Sequence, residues 1–129
     1  MPLTLRFHDE GLSMCQLPPD VPVPADILAK HFTAFTRSHD EVTLICPTAL
    51  APKNAKIQSG WIAIEFVGPF GFDAIGILAQ VANPLAAAGV SIIALATFNT
   101  DYILIKTEKR ATVIAALKLA GHLIHETGC

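Results

Sequence analysis

The sequence has few charged residues and few cysteines, and each shortage excludes a class of protein. Charged residues make up 16% of the 129 positions, with 9 basic and 11 acidic side chains. Without a basic cluster, the chain lacks the positive surface that binds nucleic acid or an anionic membrane. Cys15, Cys46 and Cys129 are an odd number without a C-x-x-C pair, which is neither a disulfide framework nor a zinc knuckle. We expect two buried free thiols and a third at the end of the chain.

Long apolar runs and familiar catalytic motifs are also missing. Arg6, Asp9 and Glu10 interrupt the first ten residues, where a secretory signal needs a continuous apolar segment. Polar residues, Pro and Gly break the later apolar runs before they reach the length of a membrane span. The sequence therefore predicts a cytoplasmic protein. It contains no P-loop, HExxH helix, GxSxG elbow or full dinucleotide fingerprint, so we expect neither an enzyme nor a bound cofactor.

The strongest secondary-structure pattern lies between Gly60 and Gly121. An apolar strand over residues 61–67 leads through a loop with Gly68 and Gly71 into a helix opened by Asp73. We predict one helix as far as Gly89, bent near Gln80 because Pro84 removes a hydrogen bond. Strands over residues 91–96 and 102–106 and a helix over 109–120 follow, and residues 122–125 close the sheet. This is the split βαβ order of a ferredoxin-like domain.

The first half of the chain is less regular. Residues 3–7 with 12–17, and 32–37 with 42–46, predict two β-hairpins. A proline-rich stretch lies between the hairpins, and Asp26 could cap a short helix after it. A polar stretch over residues 48–59 is the best candidate boundary. We predict an N-terminal domain over residues 1–57 and a C-terminal domain over residues 58–129.

The two predicted hairpins carry matching polar turns, which are His8-Asp9-Glu10 and His39-Asp40-Glu41. His, Asp and Glu are metal ligands, and two copies could supply several of them. Adjacent residues at a turn point in divergent directions, however, and polar turn residues need no function. His122 and His125 have metal-ligand spacing only if the preceding helix continues past Gly121. The prediction is therefore of no metal site, with turn residues favoured over ligands.

Several strings in the second half resemble one family. They are Gly71-Phe72-Asp73, Gly76-Ile77, Ala79-Gln80, Pro84-Leu85-Ala86 and the run Thr97-Phe98-Asn99-Thr100-Asp101-Tyr102-Ile103-Leu104. Together they resemble the ACT-domain family, in particular small tandem-ACT proteins related to the aspartate kinase regulatory region and to eukaryotic cytosolic arginine sensors. The run from Arg37 to Leu44 resembles the corresponding hairpin of a degenerate first ACT domain. The resemblance implies an α+β fold of two ferredoxin-like (βαββαβ) lobes, the first with a shrunken first helix.

The resemblance also implies an amino-acid-binding regulatory protein, with its ligand held between the two lobes and a dimer as the assembly. The ligand contacts that it suggests, together with loop neighbours added to them, are Gly71, Phe72, Asp73, Ile75, Gly76, Thr97, Phe98 and Asp101. The loop chemistry agrees, because N–H groups at a helix N-terminus attract a carboxylate. The arginine sensors carry a glutamate where this chain has Ala74, which makes a smaller or apolar amino acid as plausible as arginine.

Other interpretations of the same residues stay open. Gly71 could be a turn glycine, Asp73 a helix cap, Asp101 a turn residue, and Thr97 and Phe98 strand-end packing. One alternative function is an assembly module that joins protein subunits without a small ligand. Another is a metal-binding protein or an enzyme, in which Glu65 forms an acid/base pair with His39 or His122. A partner protein would be required for the assembly module.

Overall fold

The computed structural model describes residues 2–126, which form eight strands, three α-helices and two 3-10 turns, Thr48–Leu50 and Thr107–Lys109. Cys129 lies outside the described residues. The elements are β1 (Thr4–Phe7), β2 (Leu12–Leu17), α1 (Ala25–Lys30), β3 (Ala34–Arg37), β4 (Val42–Pro47), β5 (Lys56–Phe66), α2 (Ile77–Ala87), β6 (Ile93–Ala96), β7 (Asp101–Lys106), α3 (Arg110–Leu119) and β8 (Leu123–Glu126). None of the described helices is long and apolar enough to cross a membrane.

The chain divides into two compact units. The first comprises the described residues up to Asp9 together with those from Ile62 onward, and the second is Glu10–Trp61. The sequence placed residues 1–57 in one domain and 58–129 in the other, whereas the described residues up to Asp9 group with the segment from Ile62 onward, and residues 58–61 group with the second unit. The reason is strand pairing, because Leu5 of β1 lies opposite Phe66 of β5 and beside Ile124 of β8. A strand's alternation predicts that it joins a sheet but does not predict its partner.

The first unit contains a ferredoxin-like arrangement with one added strand. Its strands run in the order β8-β1-β5-β7-β6, with β1 antiparallel to β5 and parallel to β8. The four strands of the βαββαβ unit are β5, β6, β7 and β8. If the added strand β1 is left out, the fourth of them lies next to the first, followed by the third and then the second, as expected for this unit. Ile62, Ile64 and Phe66 point to the same buried core as Val81 of α2 and Val113 of α3. These alternate residues form the core face of β5, and both helices pack on it.

The second unit has the same strand order with smaller helices. Its strands run β3-β4-β2-β5, and α1 has only six residues. A single 3-10 turn, Thr48–Leu50, occupies the place of a second helix. Cys15, Leu17 and Leu44 form its core, against which Ile27 and Leu28 of α1 pack. The α+β, ferredoxin-like fold class is confirmed.

Four local predictions were wrong or incomplete. The predicted first hairpin does not form, because β1 pairs with β5 and β8 while β2 pairs with β4 and β5. Asp26 lies inside the first turn of α1 instead of capping it. Strand β5 begins at Lys56, within the stretch predicted as a polar linker, because polar side chains are tolerated on exposed strand positions. Asp73 does not open α2, whose N-cap is Gly76.

The remaining elements follow the sequence pattern. The hairpin of β3 and β4 pairs Arg37 with Val42, and the hairpin of β6 and β7 pairs Ala96 with Asp101. Helix α2 continues through Pro84 as one helix, as predicted. Helix α3 and strand β8 lie within two residues of their predicted bounds. Strongly periodic segments were therefore predicted best.

Candidate functional site

Hydrogen bonds hold the glycine-containing loop after β5 against the hairpin between β6 and β7. The Phe70 N–H donates to the Asn99 carbonyl over 2.7 Å, and the Thr100 hydroxyl donates to the Phe66 carbonyl. Within the hairpin, the Thr97 N–H donates to the Thr100 carbonyl over 2.8 Å, and the Thr97 hydroxyl donates to the same oxygen over 3.0 Å. Two segments that are about thirty residues apart are thereby brought together.

A cavity of about 180 Å³ lies between this loop, the start of α2 and the hairpin. Its lining residues are Phe70, Gly71, Phe72, Ala74, Ile77, Ala96, Thr97, Phe98, Asn99, Thr100 and Asp101. Five of the eight residues that the sequence predicted as ligand contacts are among them, namely Gly71, Phe72, Thr97, Phe98 and Asp101. The structure therefore brings these five together, and their role in ligand binding stays a prediction.

The other three predicted contacts lie beside the cavity. A Cβ atom added to Gly71 would come within 2.6 Å of the Asp73 Oδ1 atom, so the Asp73 carboxylate lies directly against Gly71. Gly76 has a φ of 75° and forms the N-cap of α2, a left-handed conformation that glycine adopts without strain. Ile75 is 92% exposed and does not line the cavity.

Two exposed aromatic rings stand at the cavity. Phe72 and Phe98 are each 78% exposed, and their ring centroids lie 4.9 Å apart with an interplanar angle of 81°. That edge-to-face geometry is a favourable one for two aromatic rings. Large apolar side chains left in water next to a cavity are typical of surfaces that bind another molecule.

The cavity combines backbone N–H donors with one carboxylate acceptor. No side chain caps the N-terminus of α2, which meets the cavity at Ile77, so its first N–H groups are available to an anion. Asp101 is the only ionisable side chain among the lining residues, and it is partly buried. A zwitterion needs this combination of N–H donors for its carboxylate and a carboxylate acceptor for its ammonium group.

Six lining residues were not predicted: Phe70, Ala74, Ile77, Ala96, Asn99 and Thr100. Asn99 and Thr100 lie between predicted contacts in the same hairpin, so their position alone could have included them. Ile77 and Ala96 carry no such signal, because apolar residues in a helix and a strand are usually assigned to the core. Phe70 also contacts the core of the first unit.

Glu65 has different partners from those considered in the sequence. The His8 Nε2 atom lies 3.0 Å from the Glu65 Oε1 atom, and an Arg6 guanidinium nitrogen lies 3.4 Å from the same oxygen. Burial raises the pKa of nearby Tyr102, the Glu65 charge raises it further, and Arg6 opposes the change. The described partners of Glu65 are therefore Arg6 and His8, and not His39 or His122, which the enzyme alternative had considered.

The His-Asp-Glu turns form no metal centre in the part of the chain that is described. No three His, Cys, Asp or Glu side chains between residues 2 and 126 are placed to hold an ion together. In the first turn, His8 pairs with Glu65, and Asp9 lies 2.9 Å from an Arg110 nitrogen. In the second turn, Glu41 accepts a hydrogen bond from Gln16 over 2.8 Å.

Comparison with known proteins assigns the segment that carries the cavity to a family. Residues 56–118 match the family model described as ACT domain. They are an ACT domain. All of the cavity's lining residues fall within this segment, so the predicted resemblance of the glycine-containing loop and the hairpin is confirmed.

One curated relative is the human protein named cytosolic arginine sensor for mTORC1 subunit 1. The two chains are 42% identical over 59 residues, which is 45% of this chain and 18% of the human protein. The chain thus spans less than a fifth of the length of that relative. The similarity concerns one segment of a much longer protein.

Solved structures extend the likeness to the whole fold. A crystal structure of an Agobacterium tumefaciens protein matches with a TM-score of 0.92 and 26% identity, covering 100% of this chain and 96% of the other. The regulatory subunit of aspartate kinase from Thermus thermophilus matches with a TM-score of 0.62 and 13% identity, covering 88% and 93%. The second likeness concerns the fold alone. The ACT domain here therefore sits in a fold that aspartate kinase regulatory subunits share.

Proposed function

We propose that this protein is an amino-acid-binding regulatory protein whose ligand occupies the cavity between the Gly71 loop and the Thr97–Asp101 hairpin. The observation that carries the proposal is the convergence of five predicted contacts on one cavity of about 180 Å³. All its lining residues belong to the first unit, so the proposal is made for this cavity and not for the inter-lobe site expected from the sequence.

The cavity's chemistry supports a zwitterionic ligand. The α-carboxylate would accept hydrogen bonds from the uncapped N–H groups at the start of α2, where the helix dipole favours negative charge. The α-ammonium group would pair with Asp101, the one lining carboxylate. Gly76 leaves the backbone at the start of α2 accessible, since it carries no side chain and an added Cβ atom would meet nothing within 4 Å.

The relatives support the same class. The human relative is named an arginine sensor, and the Thermus protein is a regulatory subunit. Neither name describes a catalytic subunit, which agrees with a non-enzymatic role. The human protein is also named cytosolic, so we propose a cytoplasmic location, with homodimers as the assembly expected from the family.

An assembly module is the second candidate function, and a specific observation favours it. Phe72, Ile75 and Phe98 expose 78%, 92% and 78% of their surfaces within one loop and the neighbouring hairpin. An apolar surface of this kind suits a protein partner as well as a small ligand. The two candidates differ in whether a free amino acid stabilises the isolated chain.

Thermal unfolding with each of the twenty amino acids separates these functions. A ligand at 100 times its dissociation constant should stabilise the native state by about 2.7 kcal/mol, or several degrees in melting temperature. A chelator serves as the control for adventitious metal. A shift with one or a few amino acids supports the sensor. No shift with any of them contradicts it and directs the search to a protein partner.

A further inference from the structure

Six of the eleven residues that line the cavity have hydrocarbon side chains, although polar atoms make up slightly more of its surface than apolar atoms. Three phenylalanines, one isoleucine and two alanines contribute to the lining, and no basic residue does so. Asp101 is the single ionisable lining residue among the described part of the chain. A free amino acid always carries an ammonium group, which would use that carboxylate. A charged ligand side chain would then find no lining residue of opposite charge.

The size of the cavity sets a second limit. A volume of about 180 Å³ lies below the roughly 300–1,000 Å³ of typical small-molecule pockets. Such a space suits the backbone atoms of an amino acid and a short side chain better than a long one. The rings of Phe72 and Phe98 line the cavity and are exposed, so they are available to a ligand side chain and would lose contact with water when one packs against them.

Resting on the proposed function, we infer that the cavity selects amino acids with short or medium apolar side chains, and that Phe72 and Phe98 determine this specificity. Their edge-to-face arrangement presents carbon and hydrogen atoms to the ligand side chain. A polar or charged side chain packed against the two rings would give up hydrogen bonds to water on that side, which is unfavourable. An apolar one would instead gain by leaving water.

Isosteric ligands test this inference by titration calorimetry. Valine and threonine have nearly the same shape, as do leucine and asparagine, so each pair differs mainly in polarity. We expect the apolar member to bind about tenfold more tightly or better, the range that a hydrophobic pocket achieves for one group. Its binding should also show a negative heat-capacity change, because apolar surface is buried.

Variants identify the residues responsible. Phe98→Ala and Phe72→Ala should each weaken binding of the preferred apolar ligand by about tenfold and reduce its preference over the polar isostere. Both rings are largely exposed, so the fold should persist. Leu119→Ala is the matched control, because Leu119 is an apolar residue of α3 that is 91% exposed and does not line the cavity. It should leave affinity and preference unchanged.

Ala74→Glu provides a second test, in which an added carboxylate should shift the preference from apolar to basic amino acids. Ala74 is an exposed lining residue, so a glutamate there adds a carboxylate without filling the core. The variant should improve the affinity for lysine and arginine relative to leucine by about tenfold, through a charge-assisted hydrogen bond.

The outcomes separate this inference from the proposed function. Tighter binding of an apolar amino acid, with loss of preference in the phenylalanine variants, supports both. Tighter binding of arginine, lysine or a polar isostere by the wild-type protein overturns the apolar specificity and leaves the amino-acid-binding function standing. Unchanged preference in both phenylalanine variants overturns the role of the rings. Absence of binding for all twenty amino acids overturns the function and the specificity together.

Discussion

The His122 ring replaces a hydrogen bond that Pro84 removes from helix α2. The His122 Nε2 atom lies 3.0 Å from the Gln80 carbonyl oxygen, the acceptor that an N–H at position 84 would normally use. The Leu3 N–H donates to the His122 Nδ1 atom over 3.1 Å, so Nδ1 is unprotonated and Nε2 carries the hydrogen. A single buried imidazole thus connects the residue before β1 with α2 at Gln80.

Removing this ring should therefore cost stability. His122→Ala leaves the Leu3 N–H and the Gln80 carbonyl without their partners, and we expect a loss of about 1–3 kcal/mol in the free energy of unfolding. Urea denaturation measures it. His125→Ala is the matched control, because His125 is exposed and its contact with Arg6, at 3.5 Å, is long.

A double-mutant cycle isolates the part of that lost free energy that comes from the hydrogen bond between His122 and the Gln80 carbonyl. In Pro84→Ala the backbone regains an N–H at position 84, which can donate to the Gln80 carbonyl. His122→Ala should then cost about 1 kcal/mol less in the Pro84→Ala background than in the wild type. An equal cost in both backgrounds would show that Pro84 and His122 act independently.

Position 76 should require glycine because of its backbone conformation, and not because a larger side chain would clash with its neighbours. Its φ is 75°, and an added Cβ atom would meet nothing within 4 Å. Gly76→Ala should therefore destabilise the protein by about 1–2 kcal/mol through left-handed strain alone. Gly76→Asn should cost less, because asparagine tolerates this conformation better. Equal costs for the two variants in thermal unfolding would contradict the explanation.

The buried thiols should be unreactive in the native protein. Cys15 and Cys46 are fully buried, and burial raises the pKa of both, that of Cys46 to about 11 with a further contribution from Cys15. In a Cys129→Ser background, a thiol reagent at pH 8 should label neither residue until the protein is unfolded. Rapid labelling of the native protein would show that the core of the second unit opens readily.

The raised pKa of Cys46 also predicts an alkaline loss of stability. Above about pH 8.5 the unfolded thiol releases its proton while the folded thiol keeps it, so the free energy of unfolding falls as the pH rises. The contribution is complete below pH 8.5 and is lost by about pH 11. Urea midpoints between pH 8 and 11 should therefore fall less steeply in Cys46→Ala than in the wild type. Cys129→Ser serves as the control thiol substitution.

The sequence predicted the loop and hairpin of the site better than it predicted strand partners. Glycine, turn residues and apolar periodicity are local, and they located Gly71, Phe98 and Asp101 within segments that meet at one cavity. Strand pairing depends on distant segments, so the placement of β1 between β5 and β8 was missed. Asp73 was misassigned for a local reason: aspartate is a common helix cap, but here glycine takes that position.

Substitution of Asp101 should remove ligand binding while leaving the stability of the free protein nearly unchanged. This residue belongs to β7 opposite Ala96, so its backbone is held by the hairpin whatever its side chain, and that side chain is only partly buried. Asp101→Ala should abolish the stabilisation by the preferred amino acid while changing the stability of the free protein by less than about 0.5 kcal/mol. Asp101→Asn keeps the size and removes the charge, so it should weaken binding as severely if the carboxylate pairs with the ligand ammonium. Asp40→Asn, in the turn between β3 and β4, is the control. Calorimetric titration of all three variants decides the matter, since wild-type affinity in Asp101→Ala would place the ligand away from this hairpin.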